Sequence, residues 1–304
     1  MKAMPYPPHS ERLDATRVRA VATWYDSHAR DLPWRRPECS AWGVLVSEVM
    51  LQQTPVVRVL PAWERWMERW PTPADLASAT QADAVRAWER LGYPRRAKRL
   101  WECAQALVER HDGAVPADAD ALLALPGVGD YTASAVLTFA FGHRAVVLDT
   151  NVRRVIGRAW RGVPLPGPSV SRDERELAAK VVPAEVADAV RWAAASMELG
   201  ALVCTARAPR CQDCPLVATC EWVAAGSPGL ADAPRRTQAW HGTDRQVRGR
   251  ILALLRASPD PLTVAGSAML ADVEPGQIDR CLHGLVVDGL VALVDAERGR
   301  FALA

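Results

Sequence analysis

The chain has 304 residues, 49% apolar and 24% charged, with a formal net charge of +2. That is ample material for a core in one large domain or two smaller ones. No run approaches the roughly 18–20 apolar residues of a membrane span, and the N-terminal MKAMPYPPHSERLD lacks the apolar core of a signal peptide. A membrane protein is excluded, and a soluble, cytoplasmic, monomeric chain is expected.

Residues 1–10 are Pro-rich and read as loose. Ser10 to about Ala29 reads as an amphipathic helix, followed by a loop over Asp31–Ser40 with Pro33 and Pro37. Ser40 is placed to cap a helix over Ala41–Gln53, with Trp42, Leu45, Val49 and Leu51 turned inward. Thr54-Pro55 opens the next helix. In it Trp63, Trp66 and Trp70, spaced by three and four, read as a core face and not as a base-stacking platform. Further helical patterns cover Asp75–Ala79, Ala82–Leu91, Arg95–His111 and Asp118–Leu125. Helices resume over Asn151–Trp160, Ser171–Val181 and Ala184–Leu202, so the class is all-α. A Gly, Pro and Ala-rich linker spans about 224–239. Beyond it, Asp244–Ala257, Thr263–Leu270 and Pro275–Asp288 read as three helices. Val291–Val294 and Arg300–Leu303 read as a hairpin. Residues 240–304 thus look like a small winged-helix-like module. Two local stretches are basic: Arg86–Arg110, with seven basic and three acidic residues, and Arg235–Arg256, with six and one. Such stretches track phosphates when they are not simply solvated helix faces.

The most informative stretch is Leu125–Arg154. Pro126-Gly127-Val128-Gly129 spaces two glycines for a tight backbone hairpin, and an apolar helical run from Tyr131 to about Phe141 follows. Gly127 and Gly129 free the backbone for close approach. Together with the Val128 amide and the unpaired N–H groups of the helix start, they suit a phosphate. Asp149 follows the apolar run Ala145–Leu148, and Thr150-Asn151 after it is able to open a helix.

Seven cysteines occur, and four of them fall within seventeen residues as C-x6-C-x2-C-x5-C: Cys204, Cys211, Cys214 and Cys220. A disulfide framework is not expected in such a chain. Four thiolates in a short loop hold either zinc or a cubane iron–sulfur cluster. The long first gap and the single C-x2-C argue against the usual paired zinc knuckle. Cys39, Cys103 and Cys281 read as small apolar residues.

LPGVG-x-x-TA followed by V-x-D-T resembles the helix-hairpin-helix, Gly/Pro-rich, Asp (HhH-GPD) superfamily of DNA glycosylases. Asp31-Leu32-Pro33-Trp34-Arg35 and Ser47-Glu48-Val49-Met50-Leu51-Gln52-Gln53-Thr54 narrow the resemblance to the adenine-specific, MutY-type members, from about Val18 to about Trp222. It implies a six-helix barrel at about 31–143. It also implies an iron–sulfur domain built from the N-terminal helix and about 144–230, within a glycosylase domain at 11–230. The four clustered cysteines then hold a [4Fe–4S] cluster.

The implied partner is double-stranded DNA with a mismatched or oxidised base pair, and the implied reaction is base-excision removal of adenine opposite 8-oxoguanine or guanine. The base must leave the duplex to be cut. An acid must protonate the purine, and a negative charge must face the oxocarbenium-like sugar. By composition alone Glu48 reads as a salt-bridged helix glutamate and Asp149 as a helix cap. The resemblance makes Glu48 the acid, its pKa raised by burial, and Asp149 the cation stabiliser, its ionised form favoured by N–H donors. Bifunctional relatives carry a lysine nucleophile where this chain has Tyr131, so no Schiff base forms and the enzyme is monofunctional. The resemblance places Trp34, Arg35 and Leu51 at the adenine pocket, Arg30 nearby, Gln53 as a stack wedge, and Tyr93 in a related turn. Arg207 and Arg210 lie in the first ligand loop, within reach of phosphate.

Three departures stand out. Pro94 replaces an aromatic after Tyr93, Ala193-Ala194 replace a polar pair, and residues 240–304 are too few for the Nudix-like domain that reads 8-oxoguanine. The alternatives are a mismatch thymine or uracil glycosylase and, from another class, a non-catalytic iron–sulfur DNA-binding protein.

Overall fold

The computed structural model describes residues 11–230 and 241–304. The Pro-rich start, most of the expected linker, and Arg235 and Arg236 of the second basic stretch lie outside the described residues. The fold is mostly helical: α1 (Glu11–His28), α2 (Ala41–Leu51), α3 (Val56–Arg69), α4 (Pro73–Ser78), α5 (Gln81–Ala87), α6 (Arg95–His111), α7 (Ala119–Leu123), α8 (Asp130–Phe141), α9 (Thr150–Arg161), α10 (Arg172–Val181), α11 (Val186–Leu202), α12 (Glu221–Ala224), α13 (Asp244–Ala257) and α14 (Pro275–Val287). Local chemistry sets many of these ends. Thr72 with Asp75, Thr80 with Asp83, and Ser171 with Glu174 each satisfy one another's backbone N–H groups as reciprocal caps. Glycine in the left-handed region closes α8 and α9, at Gly142 and Gly162.

The chain divides into two compact units. The first holds, among the described residues, 11–44, 117–120 and 129–230. Trp24, Trp160, Trp192 and Trp222 are buried there with Val155 and Leu199. Trp160 and Trp192 meet edge-on at 5.9 Å, the arrangement ring quadrupoles favour. Arg17 of α1 is 1% exposed, lies 5.0 Å from the Trp160 ring and pairs with Glu221 of α12 at 3.1 Å. α1 is thereby tied to the segment after the cysteines.

The second unit holds 45–116, 121–128 and 241–304. Here α4 and α5 pack on α6. Trp63, Trp66 and Trp70 are all buried, as the spacing implied. Trp66 touches Trp70 at 4.7 Å and Trp88 at 5.7 Å, both edge-on. In the C-terminal segment α13 and α14 pack together with a three-stranded antiparallel sheet, ordered β1 (Leu262–Thr263), β3 (Arg300–Leu303), β2 (Val291–Asp295).

This corrects one expectation. Thr263–Leu270 is not a helix. Leu262 and Thr263 pair with Phe301 and Arg300, and only a 3-10 turn at Ala268–Leu270 remains. Gly266, at φ +80°, breaks the helical path, and β-branched Thr263 and Val264 suit extended backbone. The segment is fixed to α5 and α6. Gln81 Nε2 donates to the carbonyls of Gly289 (2.6 Å) and Ala304 (3.1 Å), Arg256 Nε donates to that of Val85 (3.0 Å), and Arg95 pairs with Asp288.

Candidate active site

Asp149 ends an extended stretch whose Val147 is buried, and it caps α9. One carboxylate oxygen accepts from the Val152 N–H at 2.6 Å, and the other from Asn151 Nδ2 at 2.7 Å. Arg154 Nη2 in turn donates to Asn151 Oδ1 and to the Gly200 carbonyl, both at 2.7 Å. The amide is thus held so that its NH2 faces Asp149. Burial nevertheless raises the Asp149 pKa above the ordinary carboxylate value, against the pull of Val152, Asn151 and Arg154. The N–H donors favour the ionised form, as the sequence implies, and burial is the opposing contribution that local spacing does not show. Asn151→Ala removes one opposing donor, so the pKa should rise further. If the ionised form is the one that works, the acid limb of the single-turnover rate should then move to higher pH. An unmoved limb would show that Asn151 does not tune Asp149.

Gly200 is where α11 meets α9. A Cβ there would lie 2.6 Å from Asn151 Cβ and 2.8 Å from the Asn151 carbonyl oxygen. Backbone cannot yield as a flexible side chain does. Gly200→Ala should therefore cost about 1–3 kcal/mol and displace the cap, read as a lower Tm and slower base release together.

Tyr131, in the first turn of α8, is half-buried and packs on Ala135, Val147 and Ala193. Ala193 is 3% exposed. The position where a polar side chain was noted as missing therefore serves packing in this chain.

The loop before α2 is organised by a residue not singled out from the sequence. Glu198 of α11 is fully buried and accepts from the Arg30 backbone N–H (3.0 Å), Arg30 Nε (2.7 Å), Arg30 Nη2 (2.7 Å) and Arg35 Nη2 (2.8 Å). Burial works against its charge, but the hydrogen bonds from Arg30 and Arg35 outweigh it and bring the carboxyl down to about 2. Trp34, 6% exposed, sits between them in a 3-10 turn over Pro33–Arg35. Arg35 Nη1 is buried with no hydrogen-bond partner. Arg30, Trp34 and Arg35 are thus brought together on one carboxylate, with one donor left over. The signal was a lone acid in the apolar stretch ASMELGAL, which is tolerated only when paired.

In the second unit Glu48 is 4% exposed, flanked in α2 by buried Leu45, Val46, Val49 and Met50. Leu51 is half-buried at the helix end, and Gln53 is exposed beyond it. Gln53 and Tyr93 both hold left-handed backbone, at φ 55° and 48°, a conformation that residues other than glycine adopt rarely. One guanidinium serves both. Arg96 donates to the carbonyls of Val49 (2.8 Å), Met50 (2.9 Å), Gln52 (2.7 Å) and Gly92 (3.1 Å), and to Thr54 Oγ1 (3.0 Å). It caps α2 and ties the Gln53 turn to the Tyr93 turn. Burial lowers its pKa to about 10. Within the basic stretch 86–110, then, Arg96 faces inward and is no phosphate contact.

Arg95, Arg99, Gln52, Gly127 and Val128 line a cavity of about 230 Å³. Gly127 stands at φ +81°, and a Cβ there would come 2.8 Å from Arg99 Cβ. The Val128 amide, expected as a phosphate donor, is spent on the Leu125 carbonyl at 3.2 Å and closes the hairpin instead. Gly129 is exposed and caps α8, in the first unit.

Cys204, Cys211, Cys214 and Cys220 line a single cavity with Arg158 and Trp222. Among the described residues no three Cys, His, Asp or Glu side chains are already drawn into a metal site, and none of the cysteines is in a disulfide. Burial raises the thiols of Cys211, Cys214 (to about 12) and Cys220, and the neighbouring cysteines add to it. Such a set ionises only against positive charge. Arg158 supplies some, with Nη1 3.3 Å from Cys204 Sγ and also bonded to the Thr205 carbonyl at 2.7 Å. Four thiols lining one cavity, with a guanidinium at hand to balance thiolate charge, fit an inorganic centre that takes thiolate ligands. Arg210 bonds the Leu202 carbonyl at 2.9 Å and lies 3.5 Å from Asp213, while Arg207 is exposed.

Residues 46–180 match the HhH-GPD superfamily base excision DNA repair protein family. Over 284 residues the chain is 52% identical to the adenine DNA glycosylase of Mycolicibacterium smegmatis, spanning 93% of this chain and 94% of that protein. It is 42% identical to the adenine DNA glycosylase of Rattus norvegicus over 227 residues, 71% of this chain and 43% of the other. Among solved structures it is similar to a thermostable thymine-DNA glycosylase, at a TM-score of 0.63 and 25% identity over 70% of this chain and 98% of that one. It also shares the fold of endonuclease III trapped on DNA, at a TM-score of 0.62 and 23% identity over 72% and 99%. The family match and the helical fold are those of a base-excision DNA glycosylase. Within that superfamily the chain belongs to the adenine DNA glycosylases. It is an enzyme acting on N-glycosyl bonds, and no helix of the described residues is long and apolar enough to cross a membrane.

Proposed function

We propose that the enzyme hydrolyses adenine from its mispair with 8-oxoguanine or guanine, and that it does so without cutting the strand. Glu48 donates a proton to the purine ring as the N-glycosidic bond breaks and its electron pair leaves with the base. Asp149 stabilises the oxocarbenium-like sugar, with Tyr131 beside it. Water then adds to C1′ and restores the proton to Glu48. What carries this reading is Asp149, a carboxylate fixed by two donors at a helix start, in a chain that also buries a second carboxylate in apolar α2.

Arg30, Trp34, Arg35 and Leu51 take the flipped adenine. The spare Arg35 Nη1 supports this, since a buried donor without a partner suits an acceptor on the base. Gln53 enters the stack, Tyr93 contacts the DNA from its turn, and Gly127 and Gly129 approach the phosphate. Tyr131 offers no amine for a Schiff base. The four clustered cysteines hold a [4Fe–4S] cluster, which when bound cross-links the loop over 204–220. The catalytic region is 11–230, followed by the winged-helix-like module.

The second reading, a thymine glycosylase, is favoured by the likeness to the thermostable thymine-DNA glycosylase. One assay separates the two. Duplexes with A opposite 8-oxoguanine, A opposite G, and T opposite G are followed at single turnover, with and without alkali. Adenine release, with scission only after alkali, is the expected result. Thymine release alone would move the enzyme to the second reading, and scission without alkali would end the monofunctional assignment.

A further inference from the structure

Cys220, the last of the four clustered cysteines, stands between two residues that a single side chain of α1 holds. Arg17 Nη2 donates to the Thr219 carbonyl and, at 3.1 Å, to Glu221 Oε1. The guanidinium is buried and lies 5.0 Å from the centre of the Trp160 ring. Trp160 Nε1 donates at 2.7 Å to Oδ1 of Asp14, one turn earlier in α1. The ring that Arg17 rests on is thus fixed by the same helix. One nitrogen makes both of the hydrogen bonds. Nε and Nη1 are buried and, among the described residues, have no hydrogen-bond partner. A buried donor left in this way calls for an acceptor.

Ligation creates one at Cys220. As a thiol, Cys220 Sγ donates to the Arg158 carbonyl at 3.6 Å. As a thiolate ligand it has no proton to donate and only accepts. Four thiolates also carry more negative charge than a cubane core offsets. Arg158 meets that charge at Cys204. At Cys220, where burial raises the thiol, the Arg17 guanidinium works against the rise.

We propose that Arg17 is a positioning residue for the iron–sulfur centre: it seats Cys220 through both chain neighbours and gives a spare N–H to that cysteine's sulfur when the centre is bound. The inference rests on the reading that the four cysteines hold a [4Fe–4S] cluster. Hydrogen bonds to the sulfurs and the net charge set the reduction potential of such a cluster. A nearby cation favours the reduced, more negative form, so Arg17 raises the potential. By keeping a ligand seated it also slows the loss of iron.

The test uses the full-length enzyme with its metal, as wild type, Arg17→Met, Arg17→Gln and Arg17→Lys. Iron and acid-labile sulfide are counted per chain. Loss of the visible absorbance to EDTA is timed, and the potential is found by redox titration. Arg17→Met should lose iron about 10–100-fold faster, the usual worth of a group that orients a metal ligand, and its potential should fall. Arg17→Lys keeps the charge and should stay near the wild-type potential. A wild-type rate and potential in Arg17→Met overturn the proposal. So does faster loss at an unmoved potential, which a purely structural role would give. If Arg17→Met does not fold, Arg17→Gln is judged by the same two readouts. Zinc without sulfide in the wild type would end the cluster reading, and the rates of zinc loss would then judge the hold of Arg17 on Cys220 by themselves.

Discussion

Glu48→Gln is expected to slow adenine release by about 10²–10⁴-fold, the usual worth of a positioned proton donor, while duplex affinity stays near wild type. Glutamine keeps the shape and hydrogen-bonding reach of the side chain but has no proton of suitable acidity. Glu48 is buried in α2, and Arg96 ties down the carbonyls at the end of that helix. The scaffold that aims the side chain is therefore untouched by the change. Single-turnover release and gel-shift affinity, measured side by side, decide the matter. A variant that still releases adenine at the wild-type rate would remove Glu48 as the acid.

Glu198→Ala carries the larger structural effect. It leaves two guanidiniums facing a site with no counter-charge, and breaking a buried pair from one side costs about 3–5 kcal/mol. Glu198→Gln keeps the volume and isolates the charge. The pH dependence gives a second handle. The folded carboxyl titrates at about 2 against 4.5 for the ordinary group. A depressed carboxylate stabilises the fold above its unfolded value and loses that contribution as pH falls from about 4.5 toward 2. At 1.36 kcal/mol per unit this amounts to about 3 kcal/mol. Denaturant titrations at pH 6 and pH 3 should show the wild type losing more stability than Glu198→Gln. Equal losses would mean that the carboxylate is not what holds Arg30 and Arg35.

Features resting on local chemistry were readable from the chain. α6 covers the expected Arg95–His111 because its apolar stripe and its left-handed end at Asp112 are written in neighbouring residues. The Trp63, Trp66 and Trp70 face follows from spacing alone. What escaped depended on distant partners. Glu198 takes its meaning from arginines 168 and 163 residues away. Arg96 looked like one more cation of a basic stretch until the carbonyls it collects were visible. Thr263–Leu270 carried a local warning in Gly266 and the β-branched Thr263 and Val264, but its strand partner lies almost forty residues later in the chain. For Asp149 the donors are local and were readable, whereas the burial that opposes them comes from the whole unit.

Arg154 bonds the carbonyl of Cys204 at 2.6 Å with one nitrogen, and Asn151 Oδ1 and the Gly200 carbonyl with another. The last residue before the long gap of the cysteine loop and the amide that faces Asp149 therefore share one rigid planar group. A shift of the Cys204 carbonyl is therefore passed through one side chain to the amide that holds Asp149, so the cysteine loop and the carboxylate share a tether.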